Sequence, residues 1–154
     1  MISVRSPQHR GNILLIDDNQ ADLEMIHAAF HEEFPEIQLS MHHSGKEALS
    51  LLMHADEGPV RPAPDLILLD LNMPEMDGLS VLKKIKGDPA LRHIPVIVLS
   101  TSNNDLDIYK SYDSQANCFL VKPLHFKELI SLVRHVVHFW LHVARIPGIY
   151  GQTA

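Results

Sequence analysis

The sequence predicts a doubly wound α/β domain, with a parallel five-stranded sheet covered by helices on both faces. Two observations carry this reading. Short, almost wholly apolar runs recur along the chain, and stretches with apolar residues at helical spacing separate them. Such runs suit strands buried on both faces, the condition of a parallel sheet. Regular alternation of strand and helix is the pattern of βα units.

Residues 12–17 (NILLID) are the first run, and residues 66–69 (LILL), 96–99 (VIVL) and 118–121 (CFLV) repeat its character. Residues 37–41 (IQLSM) alternate instead, which suits a strand nearer the sheet edge. Between the runs, Leu23, Ile26, Phe30 and Phe34 mark a first helix. Ser44 with Glu47 forms a capping box ahead of Ala48, Leu51 and Leu52. Leu79, Leu82 and Ile85 mark a third helix starting near Asp77. Leu106, Ile108, Tyr109 and Tyr112 mark a fourth, capped by Asn103 or Asn104. A last helix over 125–143 carries Phe126, Leu129, Ile130, Val133, Val137, Trp140 and Leu141 on a broad apolar face. The proline-rich stretch 56–64 (DEGPVRPAP) reads as a surface excursion, and Pro147 should end the last helix.

A chain of 154 residues, 45% hydrophobic, fits one domain. The expected division is an N-terminal segment 1–11, a folded domain 12–145 and a tail 146–154. The formal charge of −6 argues against a general affinity for nucleic acid or membrane. A single cysteine, Cys118, permits no intramolecular disulfide and fits a reducing, cytoplasmic compartment. The polar N-terminus lacks the apolar run of a signal peptide, and no stretch approaches the ~20 apolar residues of a membrane span.

Chemistry-bearing residues stand where the apolar runs end. The first run ends in Asp17-Asp18, the third is followed by Asp70, the fourth by Ser100-Thr101 and the fifth by Lys122-Pro123. In open parallel sheets, ligand chemistry collects at the carboxyl ends of the strands. Three carboxylates gathered there repel one another unless a cation joins them. Hard oxygen donors with open positions suit Mg²⁺ better than zinc. Asp70 is then a candidate nucleophile on phosphorus, with Mg²⁺, Lys122 and Ser100 meeting the charge on the phosphoryl oxygens.

The set Asp17-Asp18, Asp70 within DLNMPEMDG, Ser100 and Lys122-Pro123 resembles the receiver domain of bacterial two-component response regulators. The resemblance covers nearly the whole chain, and the phrases HIPVIVLSTS, SYDSQANCFLVKP and HFWL resemble the small stand-alone members that work with phytochrome-type photoreceptor kinases. It implies a flavodoxin-like receiver fold with strand order 2-1-3-4-5 and five helices. It implies that Asp70 is the phosphoacceptor, supplied by a sensor histidine kinase of the bacteriophytochrome kind. Asp18 is expected to bind Mg²⁺ directly, Asp17 largely through water, and Asn72 through its backbone carbonyl. Lys122 is expected to pair with the phosphoryl group, Ser100 to swing toward it and Phe119 to follow as an aromatic switch. The Lys122–Pro123 bond is expected to be cis. Asn72 and Ser102 flank the crevice and would tune the lifetime of the phosphorylated state. A signalling phosphoacceptor of this kind is not a conventional enzyme, although intrinsic autodephosphorylation is expected. Two departures affect the switch: Phe119 lacks the hydroxyl of the common tyrosine, and Thr101 is larger than usual.

With no effector domain in the sequence, output is expected through protein–protein contact. The expected surface is the fourth helix, fifth strand and last helix, with Tyr109, Tyr112, Phe119, Phe139 and Trp140, and a homodimer would form through the last helix and fifth strand. A haloacid-dehalogenase-like phosphatase would also use an Asp nucleophile and Mg²⁺. It wants a second Asp two positions on, where this chain has Asn72. A pseudo-receiver would lack an acid or the phosphoacceptor, and none is lacking. His135, His138 and His142 share a helix face without companion carboxylates or cysteine, and read as a solvated face rather than a metal site.

Overall fold

The computed structural model describes residues 11–53 and 63–147. Five strands and five α-helices alternate: β1 (Asn12–Ile16), α1 (Gln20–Glu33), β2 (Gln38–His42), α2 (Gly45–Met53), β3 (Leu66–Leu69), α3 (Gly78–Gly87), β4 (Val96–Ser100), α4 (Asp105–Asp113), β5 (Cys118–Val121) and α5 (Phe126–Val137). The strands form one parallel sheet in the order β2-β1-β3-β4-β5, as expected.

Side-chain alternation along each strand divides the core between the two faces of the sheet. Ile13, Leu15, Leu66, Leu68, Ile97 and Leu99 pack with Leu23, Ile26 and Phe30 of α1 and with Leu129, Val133 and Val137 of α5. Leu14, Ile16, Ile67, Leu69, Val96 and Val98 pack with Leu49 and Leu52 of α2 and with Val81, Leu82 and Ile85 of α3. The central strands are apolar throughout because both of their faces are covered. β2 is an edge strand, and its exposed Gln38 and Met41 explain its mixed sequence.

Helix starts follow local chemistry. Asn19, Asp77 and Asn104 each accept a backbone N–H of the first helical turn, from Asp22, Ser80 and Leu106. Ser44 Oγ accepts the Glu47 N–H at 3.3 Å, one arm of the expected capping box.

Three expectations are revised. The last helix does not continue as α-helix to residue 143: α5 stops at Val137 and a π-helical turn, His138–Val143, follows. That turn carries Trp140 and Leu141 against the core on the α1 side, and Gly11, without a Cβ, leaves the space that Leu141 fills. In α2, Ala48 and Leu52 are buried as expected, but Leu49 is buried in place of Leu51, so the apolar face is rotated slightly from the expected one. By contrast, α4 turns its apolar stripe outward, as an output surface requires, with Leu106 55%, Tyr109 66% and Tyr112 48% exposed, and Ser111 is the buried residue of that helix. Every peptide bond among the described residues is trans, Lys122–Pro123 included, in line with the ordinary preference of about 0.5–1 kcal/mol for trans X–Pro. Most of the expected surface loop 56–64, the N-terminal segment except Gly11, and the tail beyond Pro147 lie outside the described residues.

Candidate functional site

Strand register builds the site. Ile16 of β1 pairs with Leu69 of β3, so Asp17 and Asp70 leave the sheet side by side, and the Asp70 N–H donates to the Ile16 carbonyl at 2.9 Å. Ser100 of β4 pairs with Val121 of β5, and the Lys122 N–H donates to the Ser100 carbonyl at 2.7 Å. All four residues thus stand at the carboxyl ends of neighbouring strands, the place where open α/β sheets gather ligands.

Asp17, Asp18 and Asp70 each offer a carboxylate oxygen, and the three oxygens lie within 4.8 Å of one another. Asp17 is fully buried and Asp70 nearly so, while Asp18 is half-buried. Asp17 Oδ1 accepts the Asn19 N–H at 2.9 Å, which fixes its orientation at the entry to α1. The donor set is hard, oxygen-only and partly open to solvent. Those properties fit Mg²⁺ and exclude a soft-metal thiolate site.

Lys122 Nζ faces two of these acids and a third on α1. It donates to Asp17 Oδ2 at 2.6 Å and to Asp22 Oδ2 at 2.9 Å, and lies 3.5 Å from Asp70 Oδ1. Burial works against its charge, but the hydrogen bonds to Asp17 and Asp22 outweigh that and raise its pKa. Asp70 is left with less compensation. Burial pushes its pKa from 3.8 up to about 6, the Asp17 charge adds to the rise, and Lys122 and the Asn72 N–H oppose it. The expected nucleophile is therefore the carboxylate that Lys122 holds least closely.

Sequence reasoning located Asp17, Asp18, Asp70 and Lys122, and the fold brings all four together. Ser100 is fully buried at the same sheet end, and its Oγ accepts the Ser102 N–H at 3.2 Å. Ser102 is tied to α4: its hydroxyl donates to Asp107 Oδ2 at 2.7 Å and accepts the Asn104 N–H at 3.3 Å. Asn72 is exposed beside Asp70, and Thr101 is exposed after β4. Phe119 is half-buried against the core on the α2–α3 side, and its N–H donates to the Tyr112 hydroxyl at 3.2 Å.

Two residues escaped the sequence reading. Asp22, in the first turn of α1, is a direct partner of Lys122. Its signal was weak: one more acid at helical spacing from Asp18. Gly78 opens α3 with its N–H on the Leu71 carbonyl at 2.9 Å, and a Cβ there would overlap the Asp70 carbonyl. The loop that follows Asp70 can fold back only because position 78 has no side chain.

Residues 13–134 match the response regulator receiver domain. Response regulator Rcp1 of Synechocystis sp. is 38% identical over 136 residues, 88% of this chain and 92% of that protein. The crystal structure of the phosphorylated cyanobacterial phytochrome response regulator RcpA superposes with a TM-score of 0.82 at 38% identity, covering 91% of this chain and all of that one. The Mn²⁺-bound form of Rcp1 superposes with a TM-score of 0.78 at 35% identity, covering 90% and 99%. With its strand order, its acidic crevice and these relatives, the chain belongs to the response regulator receiver domains of two-component signalling.

Proposed function

We propose that Asp70 accepts a phosphoryl group from a phosphohistidine of a partner sensor histidine kinase. The observation that carries this is the gathering of Asp17, Asp18 and Asp70 within 4.8 Å, with Lys122 Nζ 3.5 Å from Asp70. An Asp70 oxygen attacks phosphorus. A P–O bond forms, the P–N bond to the kinase imidazole breaks, and the imidazole leaves with the bonding pair. Asp17, Asp18, Asp70 and the Asn72 carbonyl would hold Mg²⁺, which offsets carboxylate repulsion and meets the charge of the phosphoryl oxygens. The Mn²⁺-bound form of Rcp1 supports divalent-cation binding by such a chain. Lys122 supplies an ammonium to the phosphoryl group, Ser100 turns its hydroxyl toward it, and Phe119 reports the change by packing. Asn72 and Ser102 set how readily water reverses the modification.

Output passes through α4, β5 and α5. Leu106, Tyr109, Tyr112, Val121, Leu124, Phe126, Phe139 and Val143 are exposed along these elements and the turn after them, which supports assembly of two copies through the last helix and fifth strand. The relatives named as phytochrome response regulators support a phytochrome-type kinase as the donor. No helix among the described residues is long and apolar enough to cross a membrane. With the net charge of −6, that favours a cytoplasmic protein that binds proteins rather than nucleic acid or lipid.

Acetyl phosphate supplies the direct test, because it donates the same group without a kinase. On intact-mass analysis, wild type incubated with Mg²⁺ should gain one phosphoryl group, and the gain should vanish with chelator or in Asp70→Asn. Full labelling of Asp70→Asn would sink the assignment.

A further inference from the structure

Lys122 has more anionic partners than its role toward a phosphoryl group requires. Its side chain is 8% exposed and is held by Asp17 at 2.6 Å and Asp22 at 2.9 Å, with Asp70 farther off at 3.5 Å. Asp17 belongs to the carboxylate group suited to a divalent cation, and Asp22 does not. Asp22 sits on α1, its backbone fixed by the bond from its N–H to Asn19 Oδ1 at 3.0 Å, and its carboxylate is 32% exposed. When a cation occupies the three-carboxylate site, Asp17 has a new counter-charge and can release the ammonium. Asp22 gains none.

We infer that Asp22 is a positioning residue that holds Lys122 back from Asp70 and so sets how strongly the phosphorylated state is favoured. The inference rests on the phosphoacceptor reading of Asp70. Lys122 can serve the phosphoryl group only to the extent that it leaves Asp22, and a partner that is competent only part of the time weakens apparent affinity by that fraction. Removing the Asp22 charge should therefore strengthen the phosphorylated state, whereas loss of an ordinary supporting residue would weaken it. The competing explanation is a charge at the N-terminus of α1 that stabilises the helix. That effect would not depend on Lys122.

The experiment uses the full chain with Mg²⁺ and beryllofluoride, a phosphoryl analogue that adds to a carboxylate, with binding followed by fluorine NMR. Mg²⁺ binding alone is measured by calorimetry. Asp22→Asn should bind beryllofluoride about tenfold more tightly than wild type, equivalent to about 1.4 kcal/mol, with Mg²⁺ affinity unchanged. Asp22→Glu, which restores the charge, should return toward wild type. In a Lys122→Gln background the Asp22→Asn effect should disappear. Unchanged or weaker beryllofluoride binding in Asp22→Asn overturns the inference. So does the same tightening in the Lys122→Gln background, or a large loss of Mg²⁺ affinity, which would make Asp22 a metal ligand. Wild type that takes up Mg²⁺ but no beryllofluoride refutes the phosphoacceptor reading itself, and that result needs no Asp22 variant.

Discussion

Asp70, the proposed phosphoacceptor, sits in surroundings that carry a cost to stability. Its carboxyl is buried, faces Asp17, and is served by a lysine that other acids hold more closely. Folded, it keeps its proton to about pH 6; its ordinary pKa is 3.8. A carboxyl raised in this way lowers stability as pH climbs through that window, because the unfolded chain releases the proton first. A shift of about two units corresponds to at most ~3 kcal/mol. Metal-free Asp70→Asn is therefore expected to melt above wild type at neutral pH, with the gap closing below pH 3.8. Thermal unfolding in chelator across that range checks it, and a gap that widens in acid would contradict it. Gly78 is the second residue where local structure has a price. An added methyl would meet the backbone of Asp70 and Leu71, which cannot yield as a side-chain tip can. Gly78→Ala should lose about 1–3 kcal/mol in denaturant unfolding. Asp17, Asp18, Asp70 and Lys122 were legible in the sequence because each ends an apolar run. Asp22 was not, since its partner lies 100 residues away and on a different element.

Among the helices, burial separates anchored elements from a loosely held one. α1 and α5 bury apolar faces against one side of the sheet, and α2 and α3 against the other. α4 buries Ser111, whose hydroxyl donates to the Asp107 carbonyl at 2.7 Å, and leaves its large apolar side chains in solvent. Few buried apolar contacts mean a low free energy of local opening. Native-state hydrogen exchange should therefore be faster in α4 than in the other four helices; protection equal to that of α5 would contradict this. The outward stripe of α4 shows a limit of periodicity. Leu106, Tyr109 and Tyr112 have helical spacing whether their face meets a core or a partner, so the pattern gave the helix and not its direction. The last helix shows another. Trp140 and Leu141 continue the apolar pattern of α5, but they reach the core through a wider turn. The strands were read more faithfully, because a segment apolar on both faces has few places to go except the middle of a parallel sheet.

At the scale of the whole molecule, one sheet ties the acid crevice to an exposed surface. Asp17, Asp70, Ser100 and Lys122 are set by the register of β1, β3, β4 and β5, and β5 also carries Phe119. Ser100 leads to Ser102, and Ser102 to Asp107 at the start of α4, so a change at the crevice has a bonded route to the exposed stripe. A two-state shift needs contacts at the switching group that differ between the two states. The strand order and the gathering of the acids were both legible in the sequence. The route through Ser102 was not, because a serine in a loop carries no sign of which helix it will bind. Everything downstream depends on whether phosphate arrives at Asp70. Borohydride reduces an aspartyl phosphate to homoserine, and so marks the modified position by peptide mass. After acetyl phosphate and Mg²⁺, the conversion is expected at Asp70 alone and only with the metal. Conversion at Asp17, Asp18 or Asp22, or none at any of them, would contradict the central claim.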